Sequence, residues 1–410
     1  MTALSAPVAD MTAALLKAPY DHVRRTCDLL GSNLFEARLL LRPTICMRGP
    51  RAAALFYDES RLVRSGAMPE PVRATLLGKG GVQGLDGAAH RRRKALFMSF
   101  MTAENVDELA RQTEHQWLKA IPAWCAAGRV SLYDAIQPIL MRAVCSWAGI
   151  PLAHDKAEAR TRDTVALFDK AAALGLGHVQ ARIARKRMEH WLSALVKDIR
   201  RKRRTAPRTA LETIALYREE SGRLLRPRIA AVELLNLLRP TVAVSVYIVL
   251  LAHAAHSFPE TVPAADDAEG LERFVQEVRR FYPFFPALMA RVRQDFDWEG
   301  VAFPRARRVL LDLHGTNMAQ EWGDPQAFRP GRFAGHDHDP FLLVPQGGGD
   351  HHRHHRCPGE TITLALMKLA LQMLTARLAF DVPEQDLELD RSRMPALPAD
   401  RFVISGVQLR

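Results

Sequence analysis

Sixteen residues, Pro345–Glu360 (PQGGGDHHRHHRCPGE), bring together four histidines, two arginines and a single cysteine. Gly347, Gly348 and Gly349 leave the backbone free to take positive φ and to lie close against something flat or bulky. Cys357 follows, with Pro358 directly after it. Beyond Glu360 the residues are mostly good helix formers (TITLALMKLALQMLTARLAF). A long helix is therefore expected to start at about Pro358, with proline in its favoured first turn. Cys357 would then sit at a helix N-terminus, where free N–H groups and the positive dipole end favour a thiolate. A thiolate is the ligand that a soft metal or a haem iron requires.

Two other readings fit the same residues. A lone cysteine near a helix start is commonly a small buried side chain. His351, His352, His354, His355 and Cys357 also offer enough ligands for zinc or nickel. Consecutive loop residues rarely all point inward, however, and no second pair at metal-ligand spacing completes the set.

The remaining elements must position this loop. The chain has 410 residues, 48% of them hydrophobic, so it can bury a sizeable core. Lys and Arg number 57 against 45 Asp and Glu, a net charge of +12 spread over many helices, which reads as a solvated surface. Cys27, Cys46, Cys125, Cys145 and Cys357 show no paired spacing, which indicates a reducing, cytoplasmic setting without a disulfide framework. The N-terminus lacks the pattern of a signal peptide, and no run of about 18 uninterrupted apolar residues suggests a membrane span.

Helical patterns dominate: about Tyr20–Leu30, Arg51–Phe56, a basic helix after Asp86, then Glu104–Ala127, Leu132–Ala148, Ala157–Leu174, Val179–Arg204, Ala230–His256 with an interruption at Arg239-Pro240, and Leu271–Tyr282. Strands are expected at Leu39–Arg48, Ala290–Trp298 and Arg307–Leu313. The glycine-rich loop Leu77–Gly87 lacks the Gly-Lys-Ser/Thr ending of a phosphate loop. The basic run Arg200–Arg204 has no interleaved aromatics and reads as a solvated helix end, not a nucleic-acid site. The whole chain, 1–410, reads as one mainly helical domain with a small sheet.

Three further features fall in a telling order. Glu277 and Arg280 stand at i, i+3 on one helix, Arg332 lies in FRPGRF about fifty residues on, and the cysteine loop follows. In this order they resemble the haem-thiolate fold of the cytochrome P-450 superfamily, a triangular helical domain with minor sheets. The segments LLRPTVAV, FVQEVRRFYPFFP, VQGLDGAAH-x-x-RK and QGGGD-x-x-x-HRCPGE are similar to its fatty-acid peroxygenase branch. The resemblance implies haem b, with Cys357 as the axial ligand of the iron. It implies that Glu277, Arg280 and Arg332 brace the haem side. Arg64, His90 and Lys94, with Gly359, would hold the cofactor, and Leu77 and Phe285 would line an acyl channel. His354 departs from the branch, which usually has Gly three residues before the cysteine.

The central helix carries the implied mechanism. Where monooxygenases of the superfamily place an acid and an alcohol, this chain has Arg239 and Pro240. Pro240 removes an N–H and opens the helix locally. Arg239 cannot act as an acid. A guanidinium in an apolar helix over the haem needs a counter-ion, and a fatty-acid carboxylate is the natural one. That carboxylate would move the proton within hydrogen peroxide, so no redox partner would be needed. Hydroxylation at the α or β carbon is expected, with decarboxylation to a terminal alkene as the alternative. Gln83, which the resemblance places near the haem, favours hydroxylation. The rival functions are a conventional monooxygenase fed by a redox partner, a non-catalytic haem- or fatty-acid-binding protein, and a basic nucleic-acid-binding protein.

Overall fold

The computed structural model describes residues 10–171, 173–202, 208–335 and 339–410. The helices His22–Leu30, Pro50–Phe56, Gly87–Met98, Ala103–Ala127, Leu132–Trp147, His154–Asp169 and Gly175–Arg201 lie close to where the apolar spacing puts them. Side-chain caps set several starts. Thr102 accepts from the Asn105 N–H, and Ser131 from the Asp134 N–H.

These helices pack around one 31-residue helix, Pro227–Ser257. It is long and apolar enough to cross a membrane, yet its apolar stretch is 94% buried inside the protein, so it is the core helix of the fold. The interruption expected at Arg239-Pro240 does not occur. Pro240 removes only the N–H that would reach the Asn236 carbonyl, and packing on all sides holds the helix together.

A five-stranded sheet flanks this bundle, in the order Leu34–Leu39, Arg42–Met47, Arg308–Asp312, Ala287–Val292, Leu62–Val63. The single strand expected at Leu39–Arg48 is instead part of a hairpin that pairs Leu34 with Met47 and Leu39 with Arg42. Its turn is Leu40-Leu41, at φ 51° and 59°. Turns of that kind are normally marked by Gly, Asn or Asp, so two leucines conceal it. The run Ala290–Trp298 likewise divides into Ala287–Val292 and Phe296–Trp298.

Two helix ends differ from expectation. The last helix starts at Glu360, not Pro358, and ends at Gln372. A wide turn, Met373–Arg377, leads into the strand Leu378–Asp381, because pairing with Val403–Leu409 outweighs the helix preference of those residues. Arg200 is not a solvated end. Its Nε donates to the Ala215 carbonyl (2.9 Å) and its Nη2 to the Leu225 carbonyl (2.7 Å). Arg203 and Arg204 lie outside the described residues.

Two buried ion pairs tie the helix Ala268–Phe281 to the segments around the cysteine loop. Glu277 and Arg280 are fully buried, joined by Nε–Oε2 at 2.7 Å and Nη2–Oε1 at 2.8 Å. Glu277 also accepts from the Arg329 N–H (2.7 Å) and from Arg332 Nε (3.1 Å). Arg280 in turn donates to the carbonyls of Asn317 (3.2 Å) and Pro325 (3.0 Å). One helix turn thus pins two separate loops. In the second pair Arg279 donates to Glu360, and Arg356 Nε holds the other oxygen of Glu360 at 2.6 Å.

Removing one partner of a buried pair leaves the other charge uncompensated. Glu277→Ala is therefore expected to lower unfolding stability by about 3–5 kcal/mol, read as an earlier midpoint in urea. An unchanged midpoint would show the cluster to be dispensable. Glu360 gives a pH test. Burial raises its carboxyl, but Arg279 and Arg356 outweigh this and hold it at about 2, against an ordinary 4.5. Its stabilising contribution is thus full above the ordinary value and disappears as pH falls through about 2. The advantage of the wild type over Glu360→Gln should be on the order of 3 kcal/mol at neutral pH and vanish across that acid range.

Candidate active site

Under the central helix the chain turns back through the cysteine loop. Gly347 and Gly349 take φ of +92° and +78°. A Cβ on Gly347 would stand 2.7 Å from the Tyr57 hydroxyl, and one on Gly349 would stand 2.2 Å from His354 Nδ1. The loop can be this tight only with glycine. The Cys357 N–H donates to the Gln346 carbonyl (2.9 Å), and His351 Nε2 reaches the Cys357 carbonyl (2.9 Å).

The helix dipole does not by itself make Cys357 a thiolate. The helix begins three residues later, and burial pushes the thiol up, with Lys94 and the Gly359 N–H opposing. A cation bound at the sulfur would reverse that balance. The four histidines do not converge. His351 caps the Cys357 carbonyl, His354 accepts from the Asp350 N–H (3.0 Å), and His355 stacks on His90 with ring centres 3.6 Å apart. Among the described residues no group of three His, Cys, Asp or Glu could hold a metal ion, so the zinc or nickel reading is set aside. His354 occupies the space beside Gly349 and leans on Tyr57 at 6.0 Å, so the departure from glycine is absorbed within the loop.

A cavity of about 300 Å³ separates the loop from the central helix. Cys357, Gly359, Arg239, Pro240, Gln83, Leu77 and Phe285 all face it, as the sequence suggested. So do Arg64, His90 and Lys94, brought together from a loop and one helix. Arg64 lies over the Phe56 ring at 3.9 Å. Burial, then Lys94, pushes His90 down to about 4, so it stands as a neutral ring. Its Nδ1 is buried without a partner among the described residues. Burial pulls Lys94 down to about 8, and its Nζ donates to the carbonyls of His354 and Arg356. A sulfur on one wall, two cations and an unpaired imidazole nitrogen fit an iron porphyrin with anionic side arms. A Cβ on Gly359 would meet no described protein atom within 4 Å, so no neighbouring residue requires glycine there.

Arg239 is 7% exposed. Its Nη1 donates to the Leu76 carbonyl, and among the described residues it has no carboxylate partner. Burial, then Arg185, pulls it down to about 9, which still leaves it charged at neutral pH. Arg185 lies behind the same wall, donating to the Leu76 (3.1 Å) and Leu77 (3.2 Å) carbonyls, but Glu189 neutralises it at 2.7 Å. Glu277, Arg280 and Arg332 do not line the cavity and serve as its frame.

Several contributors escaped the sequence reading. Arg279 adjoins Arg280 and pairs with Glu360, which is 81 residues away. Asn236 lines the cavity one helix turn before Arg239, and Glu233 lies behind it, paired with Arg93. A polar residue every third position in an otherwise apolar helix was the available signal.

The family model for cytochrome P-450 matches residues 264–403. Cytochrome P-450 71A8 of Mentha piperita is 29% identical over 139 residues, a match that spans 27% of its length. Solved structures match end to end. Cytochrome P-450SP alpha (CYP152B1) is 48% identical at TM-score 0.95, covering 98% of this chain and 99% of its own. Cytochrome P-450EX alpha (CYP152N1) is 40% identical at TM-score 0.94, covering 99% and 98%. A variant of cytochrome P-450 OleT is 32% identical at TM-score 0.94, covering 98% and 97%. A full-length relationship at this identity means that the chain belongs to the cytochrome P-450 family, and the CYP152 neighbours bear out its place in the fatty-acid peroxygenase branch, first read from four short segments.

Proposed function

We propose that the chain is a single haem-thiolate catalytic domain that uses hydrogen peroxide to hydroxylate long-chain fatty acids at the α or β carbon. Arg239 carries this reading: a buried guanidinium on the wall opposite Cys357, without a carboxylate among the described residues. The related structures support it. Cytochrome P-450EX alpha holds myristic acid, the OleT variant holds arachidonic acid and cytochrome P-450SP alpha holds (R)-ibuprophen, each a carboxylic acid. Five cysteines without a disulfide suit a reducing cytoplasm.

Cys357 would hold haem b through its iron, and Arg64, His90 and Lys94 through its acidic arms, and the haem would supply the oxidising chemistry. Arg239 anchors the fatty-acid carboxylate as a bidentate ion pair. Among the described residues, the two positions that follow Arg239 on the helix offer no acid. Pro240 has no side-chain proton, and the Thr241 hydroxyl is turned back to the Leu237 carbonyl at 2.9 Å. The anchored carboxylate is therefore the group that would carry a proton from one peroxide oxygen to the other. Leu77 and Phe285 guide the alkyl chain away, so the carbons next to the carboxylate are the ones held at the reacting position.

Two experiments follow. The reduced carbon-monoxide complex of the wild type should absorb as a thiolate-ligated haem, and Cys357→Ser should lose that spectrum. A mutant that keeps it would rule out Cys357 as the ligand. With peroxide alone, a long-chain fatty acid should give 2- or 3-hydroxy acids, while a carboxylate-free compound should react poorly until a short carboxylic acid is added. The rescue should be about 10²- to 10⁴-fold. Arg239→Ala should abolish both fatty-acid turnover and the rescue. Turnover that is indifferent to short acids and to Arg239→Ala would place the proton transfer elsewhere.

A further inference from the structure

Glu233, Asn236 and Arg239 stand three residues apart on the central helix, so they share one side of it. Glu233 is fully buried. One of its oxygens accepts from Arg93, the other from Asn236 Nδ2 at 2.8 Å, and the Val82 N–H faces it too. Burial pushes this carboxyl up, and those three donors oppose it. Three donors on two oxygens suit a carboxylate, which can only accept.

That fixes the sense of the Asn236 amide. Its Nδ2 is held between Glu233 and Gln83 Oε1 (3.2 Å), so its Oδ1 must face the other way. Oδ1 is buried and has no hydrogen-bond partner among the described residues. Gln83 spends its oxygen on Asn236, which leaves its NH₂ as a donor. The loop is clamped at this point. A Cβ on Gly81 would stand 2.9 Å from Val232 and 3.1 Å from both Asn236 Nδ2 and Gln83 Oε1. Asn236 and Gln83 line the same cavity as Arg239 and Cys357.

We propose that Glu233, acting through Asn236, is a positioning residue that builds a hydroxyl-recognition site on the cavity wall for hydrogen peroxide. The proposal rests on the peroxygenase reading above. An O–H group donates to Asn236 Oδ1 and accepts from the Gln83 amide. A carboxylate oxygen cannot donate, so Oδ1 turns it away and Arg239 receives it. One helix face thereby sorts the two substrates by hydrogen-bond sense.

The test uses the haem-loaded protein and the variants Glu233→Gln, in which the side-chain amide can donate to Oδ1 and release the Asn236 orientation, and Asn236→Leu, which keeps the volume and removes the acceptor. Three quantities are read: the KM for hydrogen peroxide, the fatty-acid dissociation constant from optical titration, and the melting temperature. The expected result is a peroxide KM raised about tenfold in both variants, with fatty-acid affinity changed less than about twofold. Asn236→Leu should also melt close to the wild type, which separates the effect from unfolding. An unchanged peroxide KM in either folded variant overturns the proposal, as does an equal loss of fatty-acid affinity, which would mark a general structural role. A wild type without peroxide-driven turnover removes the functional reading and this inference with it.

Discussion

A guanidinium taken out of water is costly unless a carboxylate goes with it. This chain buries five arginines among its described residues: Arg93, Arg185, Arg239, Arg279 and Arg280. Four have a glutamate each, in Glu233, Glu189, Glu360 and Glu277. Arg239 alone has none. The paired arginines knit the frame by joining helices to loops that are distant in sequence. The unpaired one faces the cavity, where a ligand can complete it. The same interaction therefore builds the scaffold four times and defines the site once.

This division explains what could be read from the sequence. Glu277 and Arg280 are one helix turn apart, and the cysteine loop is continuous, so both were visible as local patterns. Arg279–Glu360 and Arg93–Glu233 span 81 and 140 residues, and nothing local marks either partner. Asn236 was marked only by its polar spacing with Glu233 and Arg239, and its value lies in what Glu233 and Gln83 do to its amide. The helix ends and the Leu40-Leu41 turn were misplaced where tertiary contacts override propensity, as they do at the strand Leu378–Asp381.

His90 and Lys94 show the limit of reading charge from residue type. Both are basic residues one turn apart on a basic helix. Burial, then the Lys94 charge, leaves His90 neutral, and Lys94 divides its donors between the carbonyls of His354 and Arg356. Lys94 thereby braces the very loop that presents Cys357. The chemistry of this wall depends on hydrogen-bond commitments as much as on formal charge.

Leaving Arg239 without an internal partner has a consequence for specificity. A protein that carried its own acid above the reacting position would process whatever fitted the cavity. On the function proposed above, the molecule that pairs with Arg239 also brings the group that moves the proton. A neutral ligand of the same shape gains the apolar contacts but lacks the catalyst, so discrimination falls on the chemical step and not on binding alone. A hydrophobic pocket distinguishes neighbouring alkyl chains by only about 1–3 kcal/mol per methylene, too little to reject other lipids outright. In that proposal, making the carboxylate both anchor and acid–base group would supply the selectivity that the apolar walls cannot.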